Sequence, residues 1–286
     1  MTATVPPTTS QLDLGFGRVP EPDRNFAKGG RSFYFFDLDD NVFFLSTPIY
    51  IFHQETGEEV ALSTRDFAIH NKNIGKQGKF ARYKVWLDQD RGSFRRFRDF
   101  PGANQPFYDD IREAIRQPDF TWKGPSWTFF HHAVFNQRPM ALITARGHGP
   151  DTLKGGIELL RAEGHLTHTP NYMSVFPVSN PEIRKELGDH VGDWSTAKLK
   201  QAAIIQSVEA AMRIYGDNPH HRFGMSDDDP HNIELILEAM KELKRRYEQN
   251  SFFVFTSHSD PIIRQEVFVD RVERQIGHPS QLTLFE

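Results

Sequence analysis

Acidic side chains gather at two places in this 286-residue chain where a hydrophobic run has just ended. The first is Asp37-Leu38-Asp39-Asp40-Asn41, which follows Phe33-Tyr34-Phe35-Phe36; the second is Asp227-Asp228-Asp229, which follows Arg222-Phe223-Gly224-Met225-Ser226. Residues two apart beyond a strand can point to the same face, so Asp37 and Asp39 can reach one pocket. Carboxylates that close repel one another, which favours a shared proton or a bound divalent cation. Oxygen ligands without cysteine, and without histidines at metal spacing, point to Mg²⁺ rather than zinc. A third apolar run, Met140–Ile143, ends in Thr144-Ala145-Arg146 and puts a hydroxyl and a guanidinium at another strand end.

Similar runs recur at Tyr172–Phe176 and Phe252–Phe255. Runs apolar on both faces read as central strands covered by helices. Between them, helical patterns open at Asp151 as N-cap, at Pro181, at about Lys200 and at Pro230, with stripes such as Ala203, Ile204, Val208, Ala211 and Met212. This alternation predicts an α/β fold, a Rossmann-like three-layer open parallel sheet, whose ligands bind beyond the carboxyl ends of the strands. The expected core is residues 31–46 and 139–275. Residues 1–30, rich in proline and glycine, read as a mobile N-terminal arm, and residues 276–286 as a C-terminal tail.

The alternation fails from Thr47 to Arg138, so residues 47–138 read as an inserted cap between the first two core strands. The insertion opens with a hairpin (Ile49–Phe52, then Val60–Leu62) and carries nine basic residues between Asn71 and Phe100. Its stretch Lys79–Trp86 alternates charge and ring. An amphipathic strand with one solvated face is the favoured reading, ahead of a base-stacking surface.

A strand into Asp-x-Asp, a later strand into Thr, a basic residue at a helix start and a strand into clustered Asp, in that order over Phe33 to Asn232, resembles the haloacid dehalogenase-like phosphohydrolase superfamily. The resemblance implies that Asp37 is a nucleophile forming an aspartyl-phosphate and that Asp39 is the general acid/base. It implies that Thr144 hydrogen-bonds the phosphoryl group and that Lys200, or alternatively Lys198, neutralises it. Asp37, Asp227, Asp228 and the backbone carbonyl of Asp39 would hold Mg²⁺. Arg146 and Asn41 are the substrate-binding candidates. Two positions depart from the family pattern: Asp40-Asn41 stands where a Gly-Thr pair is usual, and Ser226 precedes three consecutive acids.

Composition sets the outer limits. Hydrophobic residues at 38% and charged residues at 25% allow a sizeable core and exclude global disorder. A net charge of −4 argues against whole-surface attraction to nucleic acid. No apolar run is long enough for a membrane span, the polar start is no secretory signal, and the absence of cysteine fits a cytoplasmic protein. The ending Gln281-Leu282-Thr283-Leu284-Phe285-Glu286 resembles the peptide by which bacterial replication and repair proteins dock on the DNA sliding clamp, with a looser version at Gln11–Phe16. The expected activity is that of a Mg²⁺-dependent phosphatase acting on a phosphorylated substrate, either a small phosphomonoester or a nucleic-acid end. The alternative is a catalytically degenerate binding module that recruits a partner such as the sliding clamp.

Overall fold

The computed structural model describes residues 19–257 and 262–277. The terminal peptide Gln281–Glu286 and the looser motif Gln11–Phe16 lie outside the described residues.

Seven strands form the main sheet: β1 (Ser32–Phe36), β5 (Met140–Thr144), β6 (Tyr172–Pro177), β7 (Arg222–Asp227), β8 (Ser251–Thr256), β9 (Ile262–Val267) and β10 (Val272–Gly277). Their order is β10-β9-β8-β7-β1-β5-β6. Strands β6, β5, β1, β7 and β8 run parallel, whereas β9 and β10 pair antiparallel. The sheet is therefore mixed, and the fully parallel expectation is corrected at this edge. Neither strand carries a two-sided apolar run: in β9 Arg264 and Glu266 sit between the buried Ile262, Gln265 and Val267, and β10 at the edge exposes Glu273, Arg274, Gln275 and Ile276.

Period-two alternation within β1 distributes its side chains to two cores. Tyr34 and Phe36 join a layer with Phe107, Ile111, Phe130, Leu153, Ile157 and Leu160. Phe33 and Phe35 join the opposite layer with Leu199, Ala203, Ile204, Ile236 and Met240. The first layer is built by α2 (Pro106–Ile115), α4 (Trp127–Phe135) and α5 (Pro150–Ala162), and the second by α7 (Thr196–Tyr215) and α8 (Pro230–Arg246). Part of the phenylalanine content goes into this sheet, where Phe33, Phe223 and Phe252 stack across β1, β7 and β8 with centroids 4.7 and 5.3 Å apart.

Two expected boundaries move. Helices α2 and α4 belong to the main core, so 47–138 is not one separate body. What stands apart is the small sheet β3-β2-β4, made of Ile49–His53 (β2), Glu59–Leu62 (β3) and Tyr83–Lys84 (β4). With α1 (Thr64–His70) it has its own core of Ile51, Leu62, Ile74 and Phe80. In Lys79–Trp86 only Tyr83–Lys84 forms a strand; Arg82, Lys84 and Trp86 are exposed, while Tyr83 and Val85 pack on that core.

The expected arm 1–30 is also shorter than drawn. Asp23 is buried, pairs with Arg138 at 3.1 Å and accepts from the Ser32 N–H, so the chain is already fastened to the sheet before β1. Helix α5 starts at Pro150 with Gly149 as N-cap, and Asp151 falls in its first turn rather than at the cap. Among the described residues no helix is long and apolar enough to cross a membrane.

Candidate functional site

Parallel β1 and β7 are in register from Ser32–Arg222 to Phe36–Ser226, and the Asp37 N–H donates to the Ser226 carbonyl at 3.0 Å. The two acidic segments, 190 positions apart, therefore leave neighbouring strands at the same edge of the sheet. Ligand oxygens of Asp37, Asp227 and Asp228 lie within 4.8 Å of one another.

Lys200 enters this group from α7. Ser195 caps the helix by accepting from the Lys198 N–H, which sets the phase of the first turns. Residues two apart on a helix differ by about 200° in direction, so Lys198 and Lys200 cannot both face the sheet. Lys200 shares the buried face of Ala203, Ile204 and Val208, and its Nζ lies 2.7 Å from Asp227 and 3.2 Å from Asp37. Lys198 is exposed and lies over the Trp194 ring, 4.0 Å from its centroid. The structure thus gives the place near the acids to Lys200.

Asp227 is held in place by the protein. Its Oδ1 accepts from the Asp229 N–H at 3.0 Å and from Asn232 Nδ2 at 3.1 Å, and its Oδ2 accepts from Lys200. Asn232, in the first turn of α8, was not singled out by sequence; its position five residues after Asp227 in a Pro-opened helix was the available signal. Asp37 Oδ1 is buried and has no aligned hydrogen-bond donor. One ammonium against three carboxylates leaves two negative charges, the deficit a divalent cation would cancel. The all-oxygen donor set fits a hard ion of the Mg²⁺ type, with Asp37 Oδ1 held by charge alone, 3.2 Å from Lys200 Nζ.

Burial, with added repulsion from Asp227 and Asp39, pushes the Asp37 carboxyl up to about 8 despite the opposing Lys200 charge. Burial, then Asp37 and Asp227, push Asp228 up to about 9. Burial alone would lower the Lys200 ammonium, but Asp227 and Asp37 outweigh it and the net shift is upward. A raised carboxyl binds its proton more tightly in the folded chain, so its stabilising contribution is present at low pH and lost as pH rises through the folded value. From these two groups, the unfolding midpoint without added metal should fall as pH rises from about 4, the ordinary carboxylate value, to about 9, and level off above that. Added Mg²⁺ should remove most of that fall. Calorimetry in buffered EDTA and in Mg²⁺ checks this, and a midpoint rising across the interval without metal would contradict it.

Thr144 ends β5 and is fully buried; its Oγ1 accepts from the Arg146 N–H at 3.3 Å. Arg146 is fully buried as well, and its fork closes on Asp39, with Nε to Oδ2 at 2.9 Å and Nη2 to Oδ1 at 2.6 Å. The structure therefore brings Arg146 to a carboxylate of the site, while its Nη1 is buried with no hydrogen-bond partner among the described residues.

Asn41, the other substrate-binding candidate, is enclosed by the framework. It is fully buried, its Nδ2 donates to the carbonyls of Asp37 and Ser226, and its Oδ1 accepts from the hydroxyls of Ser126, Ser226 and Ser257. Nothing of its amide remains for a substrate; it ties the end of β1 to the end of β7. Replacing Asn41 with Ala should cost about 2–4 kcal/mol, because carbonyls and hydroxyls are left buried without partners. Urea denaturation measures this, and a change under about 0.5 kcal/mol would remove Asn41 from the framework.

Asp40, where the family pattern has glycine, takes the left-handed conformation at φ 57°, a region that aspartate tolerates better than most side chains. Burial raises its carboxyl, while a hydrogen bond from Thr64 and the charges of Arg65 and Arg146 hold it down. The start of α1 therefore stands next to the acidic loop. Gly124 presses from the other side: a Cβ there would come within 2.4 Å of the Asn41 carbonyl oxygen.

No protein-family model, curated protein or solved structure matches this chain, so the meaning of the site rests on its own geometry.

Proposed function

We propose that this chain is a Mg²⁺-dependent phosphohydrolase of the haloacid dehalogenase-like kind, working through an aspartyl-phosphate on Asp37. The observation that carries the reading is the convergence of Asp37, Asp227 and Asp228 around Lys200 at the carboxyl edge of the sheet. A bound divalent ion would offset the charge of an incoming phosphate and polarise it. Asp37, Asp227 and Asp228 are the side chains to hold it.

Asp37 attacks phosphorus, and the bond from phosphorus to the leaving oxygen breaks as Asp39 supplies the proton. Asp39 then takes a proton from water, whose oxygen attacks the aspartyl-phosphate and releases inorganic phosphate with Asp37 restored. Lys200 keeps positive charge beside the nucleophile through both steps, and the Thr144 hydroxyl steadies the phosphoryl group. The small sheet and α1, standing beside Asp40, are the parts of the inserted segment suited to act as a cap over the substrate.

Hydrolysis of a generic aryl phosphate tests the reading. The expected result is phosphate release that requires Mg²⁺, survives Lys198→Ala within about threefold, and is lost in Lys200→Ala. Equal losses in the two lysine variants, or release unaffected by EDTA, would overturn it.

A further inference from the structure

Arg146 reaches Asp39 from within a socket shared between α2 of the main core and the chain that precedes it. Its Nη2 also donates to Thr47 Oγ1 at 2.7 Å, and the Thr47 hydroxyl donates in turn to Asp110 Oδ2 at 2.5 Å. Arg96 stands 3.9 Å from the other oxygen of Asp110. The rings of Phe97 and Phe107 each lie 4.8 Å from the guanidinium carbon. Thr47, Phe97, Phe107 and Asp110 all belong to the chain between β1 and β5, whereas Arg146 follows β5 and Asp39 follows β1.

We propose that Arg146 is a positioning residue that, held by Thr47, Phe97 and Phe107 with Asp110 behind Thr47, sets the carboxylate of Asp39. The inference rests on the reading of Asp39 as the acid/base. A guanidinium fork fixes both oxygens of a carboxylate in one plane, and the socket fixes the fork. Loss of a socket contact frees the fork to move, and Asp39 with it. A displacement of about 1 Å at a reacting group is enough to cost about 10²-fold in rate.

The test is steady-state kinetics on an aryl phosphate for Asp39→Asn, Arg146→Met, Thr47→Val and the double variant Asp39→Asn/Arg146→Met. Arg146→Met should lower kcat about 10²-fold and Thr47→Val about 10-fold, each with KM within about threefold. The double variant should be no slower than Asp39→Asn alone, because Arg146 acts only through Asp39. A KM raised more than about tenfold with kcat retained in Arg146→Met, or losses that multiply in the double variant, would overturn the proposal.

If the wild-type chain hydrolyses no phosphate ester, the functional reading fails by itself. The coupling is then read from urea midpoints of the same folded variants. Shifts of Arg146→Met and Asp39→Asn that fall short of additive, with Thr47→Val also coupled to Arg146→Met, support the positioning link, and strictly additive shifts overturn it.

Discussion

Asp37→Asn should abolish turnover, by at least about 10⁴-fold in kcat, while leaving the protein folded and more stable at neutral pH. An amide cannot take phosphorus from an ester, and removing one member of a catalytic unit costs about as much as removing the whole unit. The gain in stability comes from the same atoms. Asp37 is buried beside Asp227 and Asp39, and its carboxyl is raised to about 8, so ionising it in the folded chain carries a penalty. A neutral amide of the same shape removes that penalty. The penalty grows as pH rises through the folded value, so the stabilisation should be larger at pH 9 than at pH 6. Calorimetry alongside the phosphate assay separates this outcome from misfolding. A dead variant with a lowered midpoint would instead make Asp37 a structural residue.

Lys200→Met should be the most destabilising single change among the site residues, by about 3–5 kcal/mol, or roughly 10 °C in midpoint for a domain of this size. Lys200 is 1% exposed and is the ammonium that faces Asp37 and Asp227. Its loss leaves two buried carboxylates facing each other with Asp228 beside them. Methionine keeps most of the volume, so the loss is one of charge rather than packing. The defect should shrink when pH is lowered from 8 to 6, where the acids can hold protons, and also when Mg²⁺ is added. A midpoint within about 2 °C of wild type at pH 8 without metal would show that the acids do not depend on this lysine.

The acidic rim was legible because each acid closes a strand apolar on both faces, and such strands have few places to go except the middle of a helix-covered sheet. Lys200 was legible in principle through phase: it stands three, four and eight residues before Ala203, Ile204 and Val208, all on the buried face of α7. Strands β9 and β10 carry no continuous apolar run to signal them, because β9 needs only one fully dry face and β10, at the open edge, exposes Glu273 to Ile276. Helices α2 and α4 were placed in the insertion although Phe107, Ile111, Trp127, Phe130 and Val134 follow helical spacing, since nothing in a local pattern says which surface a stripe will cover.

The socket of Arg146 had no local signal. Thr47 and Asp110 meet it from 99 and 36 positions away, and only the folded chain joins them. Asn41 shows the opposite failure. It sits in a suggestive place beside Asp37 and Asp39, but its amide is consumed by two carbonyls and three serine hydroxyls.

The central claim is that Asp37 carries phosphorus, and trapping the adduct tests it most directly. Protein turning over an aryl phosphate in Mg²⁺ is quenched in acid, reduced with borohydride and mapped by peptide mass spectrometry. Reductive cleavage of an acyl phosphate converts the aspartate to homoserine, and this account places that conversion at Asp37, with none in Lys200→Ala. Conversion at any other carboxylate, or steady turnover with Asp37 unmodified at every quench time, would contradict it.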